Sequence, residues 1–394
     1  MKIRLIRQIR ERTDLHKRWT PTYPAMTIKP YSIVLLTAAF WALGLYSVTF
    51  AQQNAEEASR QISFSWSDGT ARLISSRGYA PRVCRLEDGR ILAGIETGGG
   101  IKTLASADNG KTWTAPVQAS FRPDKRCANV NFYRDGNTLY LAYRAVGNEP
   151  KGFYTSLQVS VSQDEGQSWT HHSTVAEYTE SRGGIWEPYL GTLNGKLTCF
   201  YANDAASVTK SSYQNIEYKV WDGSQWTNRT VVSDGNKHRS RDGMPVWTQL
   251  KSGEYVCIIE GTQKAKDGFL FVINLIYSTD GKSWSEPVEI YRPTTKSSKA
   301  SAPGVVELPN GQMVVSFQTD EDSSVKGDRT SVMKTILSDG TDIKNLSRSS
   351  FTPSQSVFGS QDVNSVWSGI SFFDGTLYAA AGTRYGANMK FIEL

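Results

Sequence analysis

Ser106-Ala-Asp-Asn-Gly-Lys-Thr-Trp113 recurs as Ser162-Gln-Asp-Glu-Gly-Gln-Ser-Trp169 and, one residue shorter, as Ser278-Thr-Asp-Gly-Lys-Ser-Trp284. A turn of this form repeated along a chain marks an array of similar β-units. Its residue types suit a structural task. Ser and Asp side chains bond nearby backbone amides, Gly takes a positive φ, and Trp anchors the turn in the core.

A second repeat counts the units. Six segments share an apolar run, a turn ending in Gly and a second apolar run, with turn glycines at 89, 136, 195, 253, 311 and 375. Their spacings are 47, 59, 58, 58 and 64 residues. Asp-Gly and Asn-Gly between apolar runs are strong hairpin signals. The full octapeptide-type turns follow glycines one, two and four, and eroded versions stand at Trp221-Asp-Gly-Ser-Gln-Trp226 and Ser338-Asp-Gly340. Six hairpins, each continued by further strands, predict an all-β, six-bladed β-propeller. The recurring turn is the Asp-box, and its recurrence resembles the sialidase-like propellers. Only 19 residues follow Gly375, so an N-terminal strand is expected to close the last blade, and Gln61-Ile-Ser-Phe-Ser-Trp66 is the segment expected to do it. Closure removes the exposed strand edges of an open ring.

Residues 1–51 read as an export signal, 52–60 as a linker and 61–394 as one propeller domain. Ile33 to Phe50 is nearly all apolar, basic residues precede it, and Thr49-Phe-Ala51 ends in a small residue suited to signal peptidase. Met26 would open a signal of ordinary length, and an uncleaved membrane anchor is the alternative. The segment also carries the excess charge. It holds eight of the 44 basic and two of the 38 acidic residues, leaving 36 of each in the remainder. A neutral body offers no electrostatic footprint for nucleic acid or an anionic membrane. The four cysteines and four histidines have no metal-site spacing. Cys199 and Cys257, each four residues after a turn Gly, are expected as buried thiols, with a bridge between them as the alternative. No cofactor or metal is expected, and a monomer acting on an oligosaccharide or polysaccharide is the expected state.

In a propeller the inner strands start, and the second strands end, around one mouth of the central channel. Polar residues at those positions converge on one pocket. Arg82 and Glu187 stand at first-strand starts. Glu96 and Glu260 stand seven residues after their turn glycines, at second-strand ends in opposite blades. Glu187 lies between Trp186 and Pro188, where an aromatic wall would raise its pKa and suit it to general-acid work. Glu260 closes an apolar strand, where an unused carboxylate is costly. The bland reading of each is an ion pair with an arginine at the ring mouth. Asn129, Asn131, Arg144 and Asp204 are candidates for sugar hydroxyls, each equally suited to holding blades together. Arg241 and its neighbour Asp242 are equally readable as turn residues. Trp186, Tyr189 and Trp367 could stack on sugar rings or simply fill the core.

Gly184-Ile-Trp-Glu-Pro-Tyr-Leu190, then Arg241-Asp-Gly-Met-Pro-Val-Trp247 and Gly253-Glu-Tyr-Val-Cys-Ile-Ile-Glu-Gly261, resemble glycoside hydrolase family 93. The resemblance runs over most of residues 75–394. It implies an exo-α-1,5-L-arabinanase that retains anomeric configuration, with Glu187 as acid/base and Glu260 as nucleophile. Two departures stand out: Ile-Ile-Glu-Gly lacks the expected aromatic beside Glu260, and the first blade is short. A retaining pair stands about 5–5.5 Å apart. The alternatives are an exo-sialidase, which needs an arginine cluster (candidates Arg82, Arg144, Arg241, Arg384) and a Tyr nucleophile, and a non-catalytic propeller that binds glycans or proteins.

Overall fold

The computed structural model describes residues 61–210, 213–265, 268–295, 297–359 and 364–394. The export signal and linker read at 1–60 lie outside them. The described residues form six four-stranded antiparallel sheets, each built from consecutive strands except the last. The six first strands are Tyr79–Arg85, Arg126–Asp135, Ile185–Leu193, Gly243–Gln249, Ala300–Glu307 and Val366–Phe373. Residues of all six line one axial cavity. The described residues therefore form a six-bladed propeller, with blades one to six in chain order.

Each predicted hairpin glycine sits in its turn with φ between +52° and +103°. Such turns reverse the chain tightly only where a residue tolerates the left-handed region. The core is divided. Six apolar clusters each draw side chains from two neighbouring blades: Leu86 and Leu92 with Leu139 and Leu141, for example, or Phe200 with Trp247. Blade-on-blade burial thus holds the ring, at roughly 25 cal/mol per Å² of apolar surface removed from water.

Ring closure by an N-terminal strand holds, but the strand differs from the expected one. Arg72–Ser75 pairs antiparallel with the last strand, Gly386–Glu393, in the register Arg72↔Met389 and Ser75↔Ala387. The alternating Ile62, Phe64 and Trp66 form no strand. They pack into the cluster between blades five and six, with the Ile62 N–H donating to Gln312 Oε1 at 2.7 Å and Trp66 Nε1 to Thr335 Oγ1 at 3.0 Å. Period-two alternation reports one apolar face. Here that face seats in a cleft between sheets instead of on a sheet.

The three Ser-x-Asp turns join third to fourth strands, at the end of the barrel that carries the hairpin glycines. In the second, the Gly166 N–H donates to Ser162 Oγ, and Asp164 accepts from the Ser168 N–H and from the Ser162 and Ser168 hydroxyls. Glu165 of this turn reaches blade one, accepting from the Glu87 N–H at 3.0 Å and pairing with Arg134 at 2.8 Å. All four cysteines are free thiols. Cys199 and Cys257 occupy equivalent places in successive blades, so each faces its own inter-blade core rather than the other.

Candidate active site

At the end opposite those turns, every first strand carries a β-bulge. One residue in each takes φ between +45° and +60°: Ala80, Asn129, Glu187, Met244, Ala302 and Trp367. A non-glycine residue with positive φ is uncommon and strained. Here it recurs in all six blades, so the strained backbone at Glu187 belongs to the ring's construction and marks no single residue as special. Opposite the residue before each bulge, the second strands place Glu96, Arg144, Ala202, Glu260, Gln318 and Gly382. Twelve positions therefore ring the mouth. The spacing that singled out Glu96 and Glu260 also falls on Gln318, seven residues after Gly311.

Three second-strand side chains do one job. Glu96 Oε1 accepts from the Asn129 N–H at 2.8 Å, Glu260 Oε2 from the Ala302 N–H at 3.1 Å, and Gln318 Oε1 from the Trp367 N–H at 2.7 Å. Each bond ties a blade to the next blade's bulge. The bland reading of the glutamates expected ion pairs with arginines; this backbone tie between blades is a further structural role, and Gln318 shows that a neutral amide performs it.

Glu187 and Glu260 stand at the mouth in neighbouring blades three and four, and Glu187 senses the charge of Glu260. Glu187 lies 3.9 Å from Arg144 Nη1, and Glu260 Oε1 lies 3.4 Å from Arg241 Nη1. Gly243 faces the Glu260 carboxylate, and a β-carbon there would stand 3.0 Å from Oε1. Burial pushes the Glu187 carboxyl up to about 7. Arg144 opposes that rise, and the charge of Glu260 adds to it. Burial also raises Glu260, against Arg241 and the Ala302 N–H. One carboxyl able to hold a proton near neutrality thus senses the charge of a second whose two oxygens are separately anchored, so their environments differ.

The remaining candidates divide. Trp186 takes the Arg144 guanidinium over its ring at 4.7 Å, stacks on Phe153 at 6.0 Å and donates through Nε1 to Asp204, so it braces Glu187's surroundings. Asp204 also accepts from the Gly184 N–H. Asn131 is buried and accepts from the Leu190 N–H at 2.7 Å, a blade-to-blade tie. Asn129 Oδ1 is buried without a partner at the mouth. Arg82 and Tyr189 lie one layer deeper and line the axial cavity. Trp367 holds the bulge position of blade six, across the ring from Glu187. Arg241 is more than a turn residue, since it reaches Glu260. Asp242 turns inward to the Ser233 and Ser240 hydroxyls. Arg384 donates to Tyr385 at an exposed turn, away from the pair.

Other mouth residues were not singled out in the sequence. Tyr79 precedes the blade-one bulge, Arg126 lies 3.9 Å from Glu96, and Lys299 pairs with Asp328 at 2.6 Å while both act on Glu260. Only the pairing of distant strands brings them here, so no local motif could have announced them. The walls are also unequal. The second strands of blades two and four, Thr138–Glu149 and Tyr255–Ala265, run five residues past Arg144 and Glu260. Those of blades one, five and six end one residue past the equivalent position. At about 3.3 Å per residue, two hairpins rise roughly 17 Å on either side of blade three, whereas blade five reaches over the mouth with the irregular segment 320–331 and blades one and six turn back within a few residues.

A family model, glycosyl hydrolases family 32 N-terminal domain, matches residues 138–350, a span that contains both glutamates. No curated protein matches the chain. Among solved structures, an α-L-arabinanase of Penicillium chrysogenum complexed with arabinobiose is similar with a TM-score of 0.57 and 19% identity, over 84% of this chain and 96% of its own. The glycoside hydrolase family 93 α-L-arabinofuranosidase of Fusarium graminearum, also with arabinobiose, gives 0.58 and 17%, over 80% and 93%. The NanB sialidase of Streptococcus pneumoniae gives 0.56 and 12%, over 85% and 71%. At such identities the likeness is one of fold, and chemistry must be argued from the site.

Proposed function

The chain belongs to the family described as glycosyl hydrolases family 32 N-terminal domain, and from that premise we propose that it is a retaining exo-glycosidase acting on an arabinan-type polysaccharide. The observation that carries the proposal is the carboxyl pair itself: Glu187, raised to about 7 and sensing the charge of Glu260, beside a Glu260 held by Arg241 and a backbone N–H. In this reading Glu187 gives its proton to the departing glycosidic oxygen while Glu260 attacks the anomeric carbon. The glycosyl–Glu260 ester is then cleaved by water, whose proton returns to Glu187. Arg241 opposes the burial that raises Glu260 and so favours its ionised form, and Arg144 limits how far Glu187 is raised. The high hairpins flanking blade three support an exo mode, since a chain crossing the mouth there would meet a wall. The arabinobiose bound by two similar structures supports the substrate class.

Against a sialate substrate, the mouth arginines Arg126, Arg144 and Arg241 each face a carboxylate, so among the described residues Arg82 lines the cavity beside Glu187 without an arginine cluster to grip a second acid. Burial raises Tyr79 as well, away from nucleophile behaviour. In the same reading residues 1–51 direct export, which N-terminal sequencing of the mature protein checks. The deciding experiment incubates the enzyme with linear and branched arabinan, with an aryl sialoside as control, and follows the first-formed anomer by NMR. Short arabino-oligosaccharide with retained configuration is expected. Sialoside cleavage, or no glycan turnover with intact fold, overturns the assignment.

A further inference from the structure

Beneath the mouth, the six first strands enclose an axial cavity of about 220 Å³. Its wall is mostly neutral: Val83, Phe132, Val246, Pro303, Ile370 and Phe373 contribute apolar surface. Into this setting the chain places Arg82. One of its terminal nitrogens, Nη1, donates to the Pro81 and Trp367 carbonyls at 2.9 and 2.7 Å. Among the described residues no carboxylate comes within 4.0 Å of the guanidinium, and Glu96 acts on it only from beyond ion-pair distance. The other arginine of the cavity wall, Arg85, is satisfied by Asp374 at 2.7 Å. The fold makes room for Arg82 deliberately. A β-carbon at Gly369 would lie 2.5 Å from its Cδ and 2.9 Å from its Nε, so only glycine lets the side chain cross there. Ser368, in the same wall, is 1% exposed with its hydroxyl unpartnered.

A part-buried guanidinium with no carboxylate in ion-pair contact is costly; its two carbonyl acceptors, with Tyr189 beside it and Glu96 further off, relieve only part of the cost. A buried hydroxyl without a partner adds to it. We propose that the axial cavity is a binding site for a small monovalent anion of the halide class, held by Arg82 with Ser368 in its wall. One uncompensated positive charge calls for one negative charge. A largely apolar wall selects a weakly hydrated ion over phosphate or sulfate, which demand many donors. Access comes from the hairpin end, where a wider cavity of about 520 Å³ shares Phe132, Tyr189, Ile370 and Ser371 with the first. The anion would offset the Arg82 charge where all six blades meet and act as a structural ion; on the mouth side Arg82 also lines a small cavity with Asn129 and Glu187, so the ion would sit directly beneath the glycan site.

The test uses the full chain. Thermal melting is recorded across a chloride titration against sodium gluconate at constant ionic strength, and crystals soaked in bromide are examined for anomalous density. A saturable rise in midpoint on the order of 3 °C at a hundredfold excess over the dissociation constant is expected, with a bromide peak beside the Arg82 guanidinium. Arg82→Gln keeps a donor for the Trp367 carbonyl but loses the charge, and should abolish both signals. Should that variant fail to fold, Ser368→Ala serves, with a several-fold weaker chloride midpoint expected. Equal melting in chloride and gluconate, or bromide peaks only outside the cavity, overturns the proposal.

Discussion

Glu260 in blade four and Glu96 in blade one occupy the same register position, face each other across the ring and accept the same bond from the next blade's bulge. Burial raises both carboxyls. What separates them is their neighbours. Glu260 stands beside Glu187, pairs with Arg241 and lies at the root of a tall hairpin. Glu96 pairs at 3.9 Å with an exposed Arg126, and its hairpin ends one residue later. Equivalent position in a repeat therefore gives equivalent structural duty, while chemistry arises where the repeat is broken by an adjacent carboxyl and an added wall.

The sharpest way to break this comparison is the paired substitution to glutamine. Gln318 already performs the bulge-tying bond as an amide, so Glu260→Gln should melt close to the parent while losing on the order of 10³-fold or more in kcat, through loss of the nucleophile. Glu96→Gln should stay within about threefold of the parent, since the amide preserves the bond from the Asn129 N–H and gives up only a long ion pair with the exposed Arg126. Equal losses in the two variants would erase the distinction and return Glu260 to a structural role.

Glu187→Ala should cost about 10²–10⁴-fold on arabinan, the usual scale for a missing general acid. Aryl glycosides with good leaving groups need little proton donation and should lose far less. A uniform loss on both substrates would count against Glu187 as the acid.

A subtler difference lies in pH. Because the acid form of Glu187 and the ionised form of Glu260 work together, turnover of arabinan should fall at low pH as Glu260 takes up a proton and fall again as pH rises through about 7. Arg144 favours the ionised form of Glu187, so Arg144→Gln should move that upper limb to higher pH, read from kcat/KM profiles. The linkage has the matching sign. A carboxyl raised in the folded state binds a proton the unfolded chain releases, so this contribution to stability is complete below the ordinary carboxylate range and is lost as pH rises to about 7. Glu96→Gln should leave the limb in place.

The smallest effect is expected at the far end of the barrel. Asp164→Ala removes three hydrogen bonds from a turn opposite the mouth. It should lower the melting midpoint by about 2–4 °C without changing kcat/KM of the folded enzyme. A large loss of turnover with unchanged melting would place that turn in the catalytic machinery.

Much of this architecture was legible in local patterns. Hairpin glycines, apolar runs and Ser-x-Asp turns are signals whose cause is local: a positive φ, a period of two, a side chain bonding its own turn. They determined the blade count, the order of strands and the side of the ring on which Glu187 and Glu260 would emerge. Where a pattern states only that a segment has an apolar face, the partner is undetermined, and so Ile62, Phe64 and Trp66 went to a cleft while Arg72–Ser75 closed the ring. The same limit hid Gln318 as a third member of the glutamate positions, Lys299 and Asp328 beside Glu260, and the place of Arg82 in the wall of the axial cavity. Those properties depend on which of six blades stands next to which, and on how high each hairpin rises. Residue spacing along a strand carries the first kind of information. Electrostatic neighbours more than 40 residues apart in the chain, such as Arg144 and Glu187, exist only once the ring has closed.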